Sequence, residues 1–278
     1  MALTDPQGLA SRRGFTLTEL LAVLLIVSLV AAGIGSVFAS QNRAYVHQDI
    51  AVALEENLRV SLATVSDSLR LAGCGAPSSD LDDWIPWVRG FRDAPVVVRE
   101  GGDAPDELSV AACTAVVARL SHDAAAGSTT LSLDSEVSGR TIESLLNTYD
   151  KGLIWIGDTQ HATVRALGGG AVTIDTDPRA NGDQGLLRAF LAGTPVSRID
   201  VLTFAIDEKC DGARAALTLD KHRGEPLELA EGVSDLQVVA LDPGRHYRLT
   251  LSAESELDDP VTGQPMGRRV TSEVTLRN

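Results

Sequence analysis

Two arginines, a glycine and a phenylalanine open the stretch RRGFTLTELL, residues Arg12–Leu21, and a single acidic residue, Glu19, follows them. From Leu20 to Asn42 the sequence then runs for 23 residues without a charge. A helix needs about 20 apolar residues to cross a bilayer, so this run predicts a membrane-spanning helix. A carboxylate at the edge of such a helix is costly without a cationic partner, which makes Glu19 a candidate functional residue.

The order of charged and apolar residues distinguishes this segment from an ordinary secretory signal, which is cut after its apolar region at small residues. Here the basic pair ends at Gly14 and the apolar run begins soon afterwards, so a cut after Gly14 would retain the helix. The arginines favour a cytoplasmic N-terminus. The alternative is a plain membrane anchor in which Glu19 extends toward the headgroups.

The segment resembles the prepilin signal of type IV pilins and type II secretion pseudopilins. The resemblance rests on Gly14, on Phe15, on a glutamate at the fifth position after the glycine, and on the length of the apolar run. It implies that a prepilin peptidase removes leader residues 1–14, cutting between Gly14 and Phe15, and methylates the Phe15 amine. It also implies that Glu19 neutralises a Phe15 amine when subunits dock into a helical filament.

Beyond Asn42 the sequence becomes amphipathic. Apolar residues recur every three or four positions, as on one face of a helix, at Ile50, Leu54, Leu58, Leu62, Val65 and Leu69. The pattern predicts one helix from about Phe15 to about Ala72, with a membrane and assembly half over residues 15–42 and an amphipathic half over 43–76. The alternative is two helices with a break at Gly33 and Gly35.

Residues 77–278 are predicted to form a β-rich globular domain outside the cytoplasm. Runs of β-forming residues bounded by glycine and aspartate predict strands at Val96–Arg99, Glu107–Ala111, Thr129–Asp134, Leu153–Gly157, Ala162–Leu167, Ala171–Thr176, Ile199–Ile206, Ala213–Leu219, Leu236–Leu241, Tyr247–Ala253 and Val270–Leu276. Residues 128–177 are a candidate β-subdomain, and the last five runs indicate an antiparallel meander. The predicted fold class is therefore α+β and pilin-like, with a long N-terminal helix packed on an antiparallel sheet that carries a β-rich insertion.

Composition narrows the function classes. With 278 residues and 44% hydrophobic residues the chain can bury a sizeable core. Its net charge of −14 disfavours nucleic acid as a partner, because phosphates repel it. The sequence has no metalloprotease, nucleophile-elbow or P-loop motif, so an enzyme is not expected. The cysteines Cys74, Cys113 and Cys210 allow at most one internal disulfide, and their spacing does not choose the pair.

Two polar stretches are candidate calcium sites. The loop Asp175–Asp183 offers Asp175, Asp177, Asn181 and Asp183 around a glycine, which are ligand types that calcium prefers. It lacks the EF-hand spacing and the distal glutamate, and the same residues suit an ordinary solvated turn. Asp258 and Asp259 form a weaker candidate. No cofactor is otherwise expected.

An aromatic cluster, Trp84, Trp87 and Phe91, follows the helix. It is a candidate sugar or partner surface, and the alternative is that it covers the edge of a small core.

The layout of the last strands resembles the C-terminal sheet of the larger minor pilins, most of all the PilW-like minor pilins, and of the J-type minor pseudopilins. The resemblance implies a minor subunit that enters a type IV pilus and acts in its assembly or initiation. Its expected partners are the prepilin peptidase, other pilins or pseudopilins, and the inner membrane, which the helix crosses once before the subunit joins a filament. The alternatives are a minor pseudopilin of a type II secretion system and a ligand-binding pilin of the adhesin type.

Overall fold

The computed structural model describes residues 16–73, 84, 91, 94–135, 140–146, 152–169, 171–208, 215–222, 225–242 and 244–276. Several predicted site residues lie outside these ranges, namely Gly14, Phe15, Cys74, Trp87 and Cys210.

Helix α1 runs without interruption over Leu17–Arg70, 54 residues, which makes it about 80 Å long. It passes through Gly33 and Gly35 without a break, so the prediction of a single helix is confirmed. Every residue from Thr16 to Tyr45 is exposed, and partial burial begins at Val46. In the second half one stripe of apolar side chains is buried, formed by Leu54, Leu58, Val65 and Leu69.

The described chain contains twelve strands and a second, short helix. They are β1 Val96–Arg99, β2 Glu107–Leu120, β3 Thr130–Ser135, α2 Ile142–Leu146, β4 Gly152–Ile156, β5 Gln160–Gly168, β6 Ala171–Asp175, β7 Pro195–Asp207, β8 Ala216–Asp220, β9 Leu227–Glu231, β10 Val233–Asp242, β11 His246–Asp258 and β12 Pro265–Thr275. A long helix followed by antiparallel strands confirms the predicted α+β class. Helix α2 and strand β9 were not predicted.

The second half of α1 shares one core with two sheets. The first, which we call the lower sheet, is the part of a larger nine-stranded sheet in which β1, β2, β7, β8 and β9 are neighbours. The second is a separate three-stranded sheet, β10–β11–β12. The helix packs mainly on β11 and β12, and its apolar stripe joins side chains such as Val110, Phe204 and Leu249 in the core. The predicted single meander is wrong, because β7–β9 belong to the larger sheet and β10–β12 form their own.

The remaining strands close into a six-stranded antiparallel barrel. Strand β2 pairs with β3, β3 with β6, β6 with β5, β5 with β4, β4 with β7, and β7 returns to β2. A closed ring leaves no unpaired strand edge along its wall. Its interior forms a second core, with Leu131, Ile154, Ile156, Val172 and Ile174 among its most buried members.

Strands β2 and β7 are long enough to serve both parts of the domain. They pair with each other from Leu108↔Phe204 to Arg119↔Pro195. The first half of β2 lies in the lower sheet beside β1, and its end pairs with β3 in the barrel. The candidate subdomain 128–177 holds four of the barrel strands, and β2 and β7 supply the two strands that close the ring.

Candidate assembly segment and other predicted sites

The first turn of α1 is built by a reciprocal pair of hydrogen bonds between Thr16 and Glu19. The Glu19 backbone amide donates to Thr16 Oγ1 at 3.3 Å, and the Thr16 amide donates to Glu19 Oε2 at 3.5 Å. This capping box satisfies amides that have no partner inside the helix. The Thr-x-x-Glu spacing of residues 16–19 is a local sequence signal for this cap.

The Glu19 carboxylate accepts the capping hydrogen bond of its own helix and is also exposed to an external partner. Residues Thr16 to Leu20 are exposed, and a negative charge in the first turn also interacts favourably with the helix dipole. The side chain is therefore oriented by its own helix and can accept a cation from outside. Gly14 and Phe15, the predicted cleavage and methylation residues, lie outside the described residues, and their roles stay predictions.

A family profile described as "Prokaryotic N-terminal methylation motif" matches residues 9–35. The matched range contains Gly14, Phe15 and Glu19, which carry the predicted signal. The match supports a protein of the type IV pilin or pseudopilin family that a prepilin peptidase processes. Searches of curated proteins and of solved structures found no match to the chain.

The matched motif runs into the exposed, apolar half of α1, which is a transmembrane helix. The described residues contain one helix long and apolar enough to cross a bilayer, and its apolar window is not buried by the rest of the protein. A motif of this kind followed by an apolar helix points to a structural subunit that assembles with other pilins or pseudopilins rather than to an enzyme.

The predicted calcium loop is organised by an arginine and by backbone amides. Asp175 has no exposed surface. Its Oδ2 accepts from Arg165 Nε at 3.2 Å and also from Nη2. Its Oδ1 accepts from the amides of Asp177 and Gln184 at 3.0 and 3.1 Å. Burial raises the pKa of Asp175, but these hydrogen bonds outweigh that effect and hold the pKa below its ordinary value.

The residues of this loop do not fit a calcium ion. A guanidinium occupies the position beside Asp175 where a cation would sit, and Arg165 Nε also lies 3.7 Å from Asp183 Oδ1. Asp177 accepts from the Arg179 amide, and Asn181 is exposed. Across the described ranges, no group of three or more His, Cys, Asp or Glu side chains is arranged to hold a metal ion.

The weaker acidic candidate, Asp259, joins the β11–β12 turn to the helix. Its side chain is 5% exposed, and His47 Nδ1 donates to its Oδ1 at 2.8 Å. The Val261 amide and the Thr262 hydroxyl donate to the same carboxylate, each at 3.0 Å. The His47 hydrogen bond is the main cause that lowers the pKa of Asp259. This carboxylate is used in a turn and a tertiary contact.

The aromatic cluster covers a small third core. Phe91 is fully buried with Leu153, Ile199 and Val201, and Trp84 packs against them. Trp84 also meets His161 edge to face, with ring centroids 6.1 Å apart. These contacts favour the covering role over an open sugar-binding surface. Cys113 is half-buried at the edge of the same cluster, and the prediction of at most one internal disulfide stays a prediction.

Proposed function

We propose that this protein is a minor pilin that enters a type IV pilus and acts in pilus assembly or initiation. The observation that carries the proposal is the contrast along α1. Its first half begins in a methylation motif and touches no part of its own domain, while its second half is built into the domain core. Such a helix is available to exchange lipid for the helices of other subunits.

The size of the domain supports a minor subunit. A closed barrel stands beyond the end of the helix, attached through β2 and β7. In a close-packed shaft every subunit would have to accommodate that barrel beside its neighbours. A subunit present in a few copies, near the tip, meets no such constraint. The apolar helix holds this subunit in the inner membrane, with the N-terminus in the cytoplasm, until it is incorporated.

In this mechanism the driving force is burial of the apolar half of α1 among other helices, and one charge pair sets the register. After the leader is removed, the Phe15 amine becomes the new N-terminus. The exposed Glu19 carboxylate of one subunit then pairs with that amine in a neighbouring subunit. Because this pair forms away from water, a misplaced subunit would leave both charges unpaired, and that state is costly.

The test is the N-terminus of the mature protein, together with its abundance in filaments. We expect N-terminal sequencing to begin at methylated Phe15, and Gly14→Ala to leave the leader attached. Gly8→Ala is the matched control, because it changes another leader glycine away from the cleavage position. A mature chain that starts beyond the apolar run would contradict the proposal.

Abundance separates the remaining alternatives. We expect sheared type IV pili to contain the processed subunit in far fewer copies than the major pilin. Equal abundance would indicate a major pilin. Recovery with the components of a type II secretion system instead would indicate a minor pseudopilin.

A further inference from the structure

Strands β11 and β12 are joined by a turn, residues 259–264, that contacts α1 through His47. We refer to this turn with its flanking strand ends, residues 257–265, as the β11–β12 tip. Asp259 fixes its shape by accepting from Val261 and Thr262. The backbone closes it further, since the Gly263 amide donates to the Asp259 carbonyl at 2.7 Å and the Asp259 amide donates to the Gln264 carbonyl at 2.8 Å.

A hydrogen bond to the helix sets the position of the tip. His47 holds Asp259 at 2.8 Å, and Val46 and His47 are the first helix residues with partly buried surface. His47 comes four residues after Arg43, the first charge beyond the transmembrane run, so it lies about 6 Å further along the helix. The interfacial layer on each side of a bilayer is about 5–8 Å thick. The tip is therefore held at the height of the lipid headgroups.

The tip exposes apolar side chains at this height. Leu257 is 60% exposed and Val261 is 70% exposed. On the helix itself Tyr45 is 65% exposed, and tyrosine is enriched where a membrane meets water. The exposed charged residues here are Glu256 and Asp258 at the end of β11, Arg268 on β12 and Arg43 on the helix, two of each sign. The apolar side chains rather than net charge would then carry a contact with lipid.

We infer that the β11–β12 tip and Tyr45 form a second membrane contact, which lies in the interfacial layer of the bilayer that α1 spans. Tyr45 and the tip lie at about the same height along the helix but on different sides of it, because Tyr45 is two residues from His47. The contact restrains the domain at the membrane before the subunit is extracted, and extraction must break it. The inference rests on the transmembrane helix and does not depend on the kind of filament that the subunit joins.

Quenching by brominated lipids tests the inference in the full-length chain. Val261→Trp would be reconstituted in phosphatidylethanolamine and phosphatidylglycerol vesicles, with and without acyl-chain bromine, and the wild-type tryptophan signal would be subtracted. We expect bromine to lower the added fluorescence about twofold or more, because the side chain reaches the acyl boundary. Leu257→Trp gives a second, independent reading of the same surface.

The matched control is Leu191→Trp. Leu191 is 73% exposed and lies in the loop before β7, on the barrel. We expect bromine to leave its added fluorescence unchanged. Adding His47→Ala to Val261→Trp should reduce the quenching, because it removes the bond that holds the tip against the helix. Equal signals from Val261→Trp, Leu257→Trp and Leu191→Trp would overturn the inference. Quenching that survives His47→Ala unchanged would overturn the role of His47.

Discussion

The two halves of helix α1 have the same secondary structure and opposite surroundings. From Thr16 to Tyr45 every side chain is exposed. From Val46 onward one stripe is buried, and Leu58, Val65 and Leu69 lose all their exposed surface. The second half is stabilised by its own domain, whereas the hydrogen bonds described for the first half lie within the helix itself, including those from the Ser28 and Ser36 hydroxyls to helix carbonyls. Its apolar surface must be covered by lipid or by other subunits.

This difference shows how one helix combines anchoring with assembly. Because the second half of α1 is buried in the domain core, the helix and the domain form one folded unit. The first half makes no such contacts, so it can leave one apolar environment for another at little cost to the fold. The boundary between the halves lies at Val46 and His47, and His47 binds Asp259 of the β11–β12 tip.

The largest expected effect is on stability and uses the same substitution in each half. Leu58→Ala should lower the free energy of unfolding of the domain by about 2–5 kcal/mol, because it opens a cavity in a fully buried site. Leu29→Ala, at a position that is 65% exposed, should change it by less than about 0.5 kcal/mol. Urea unfolding of the full chain in detergent measures both. Equal effects would show that the two halves are not independent.

A second, smaller effect tests the charge at the start of the first half. Glu19→Gln retains a side-chain acceptor for the capping box but removes the charge, and Thr16→Ala removes the cap but keeps the carboxylate. We expect Glu19→Gln to lower the filament content of the subunit about tenfold, which corresponds to about 1.4 kcal/mol. Thr16→Ala should lower it less.

Quantitative blotting of sheared filaments against the major pilin measures this second effect. Leader cleavage should be normal in both variants. The reverse order, with Thr16→Ala the more severe, would assign Glu19 a capping role alone.

The smallest expected effect lies in the barrel, away from both halves of α1. Asp175→Asn should lower the free energy of unfolding at about pH 6 by about 1 kcal/mol, since Arg165 is half-exposed and solvent screens the pair. The pKa of Asp175 in the folded state lies below its ordinary value of 3.8. Its ionised form therefore stabilises the fold above that value, and the contribution is lost as the pH falls through the folded pKa.

The pH dependence is the decisive part of that experiment. The difference between wild type and Asp175→Asn should shrink as the pH is lowered below about 4. Asp177→Asn is the control, because Asn can still accept from the Arg179 amide. A difference that does not vary with pH would mean that the Asp175 charge contributes nothing.

The helix and most strands could be predicted because their apolar patterns are local. Val96–Arg99 was predicted with its observed bounds, and α1 within two residues at each end. The prediction for β2 stopped at Ala111, whereas the strand continues to Leu120. The continuation is rich in small residues, Ala112, Ala115 and Ala118 among them, and it becomes a strand because β7 pairs along it.

The arrangement of the strands could not be predicted in the same way. An alternating pattern shows that one face of a strand is buried, but it does not identify the neighbouring strand. The pairing of β2 with β7 joins residues that are 76 to 96 positions apart in the sequence. The role of Asp175 was missed for a similar reason, because its partner Arg165 lies on another strand. The capping box of Thr16 and Glu19, by contrast, could be predicted from the sequence, because the Thr-x-x-Glu spacing is local.

The ends of β2 and β7 in the barrel lie side by side, and this has a consequence for how the protein can be altered. The Leu120 amide donates to the Thr194 carbonyl at 3.0 Å, and the Gly193 amide donates to the Leu120 carbonyl at 2.7 Å. The chain between Leu120 and Gly193 therefore begins and ends at neighbouring positions of the paired strands β2 and β7. A tight turn joining those positions would shorten the subunit, and a foreign module with neighbouring termini could be grafted there. The barrel strands between Leu120 and Gly193 could thus be replaced while helix α1 and the lower sheet are kept.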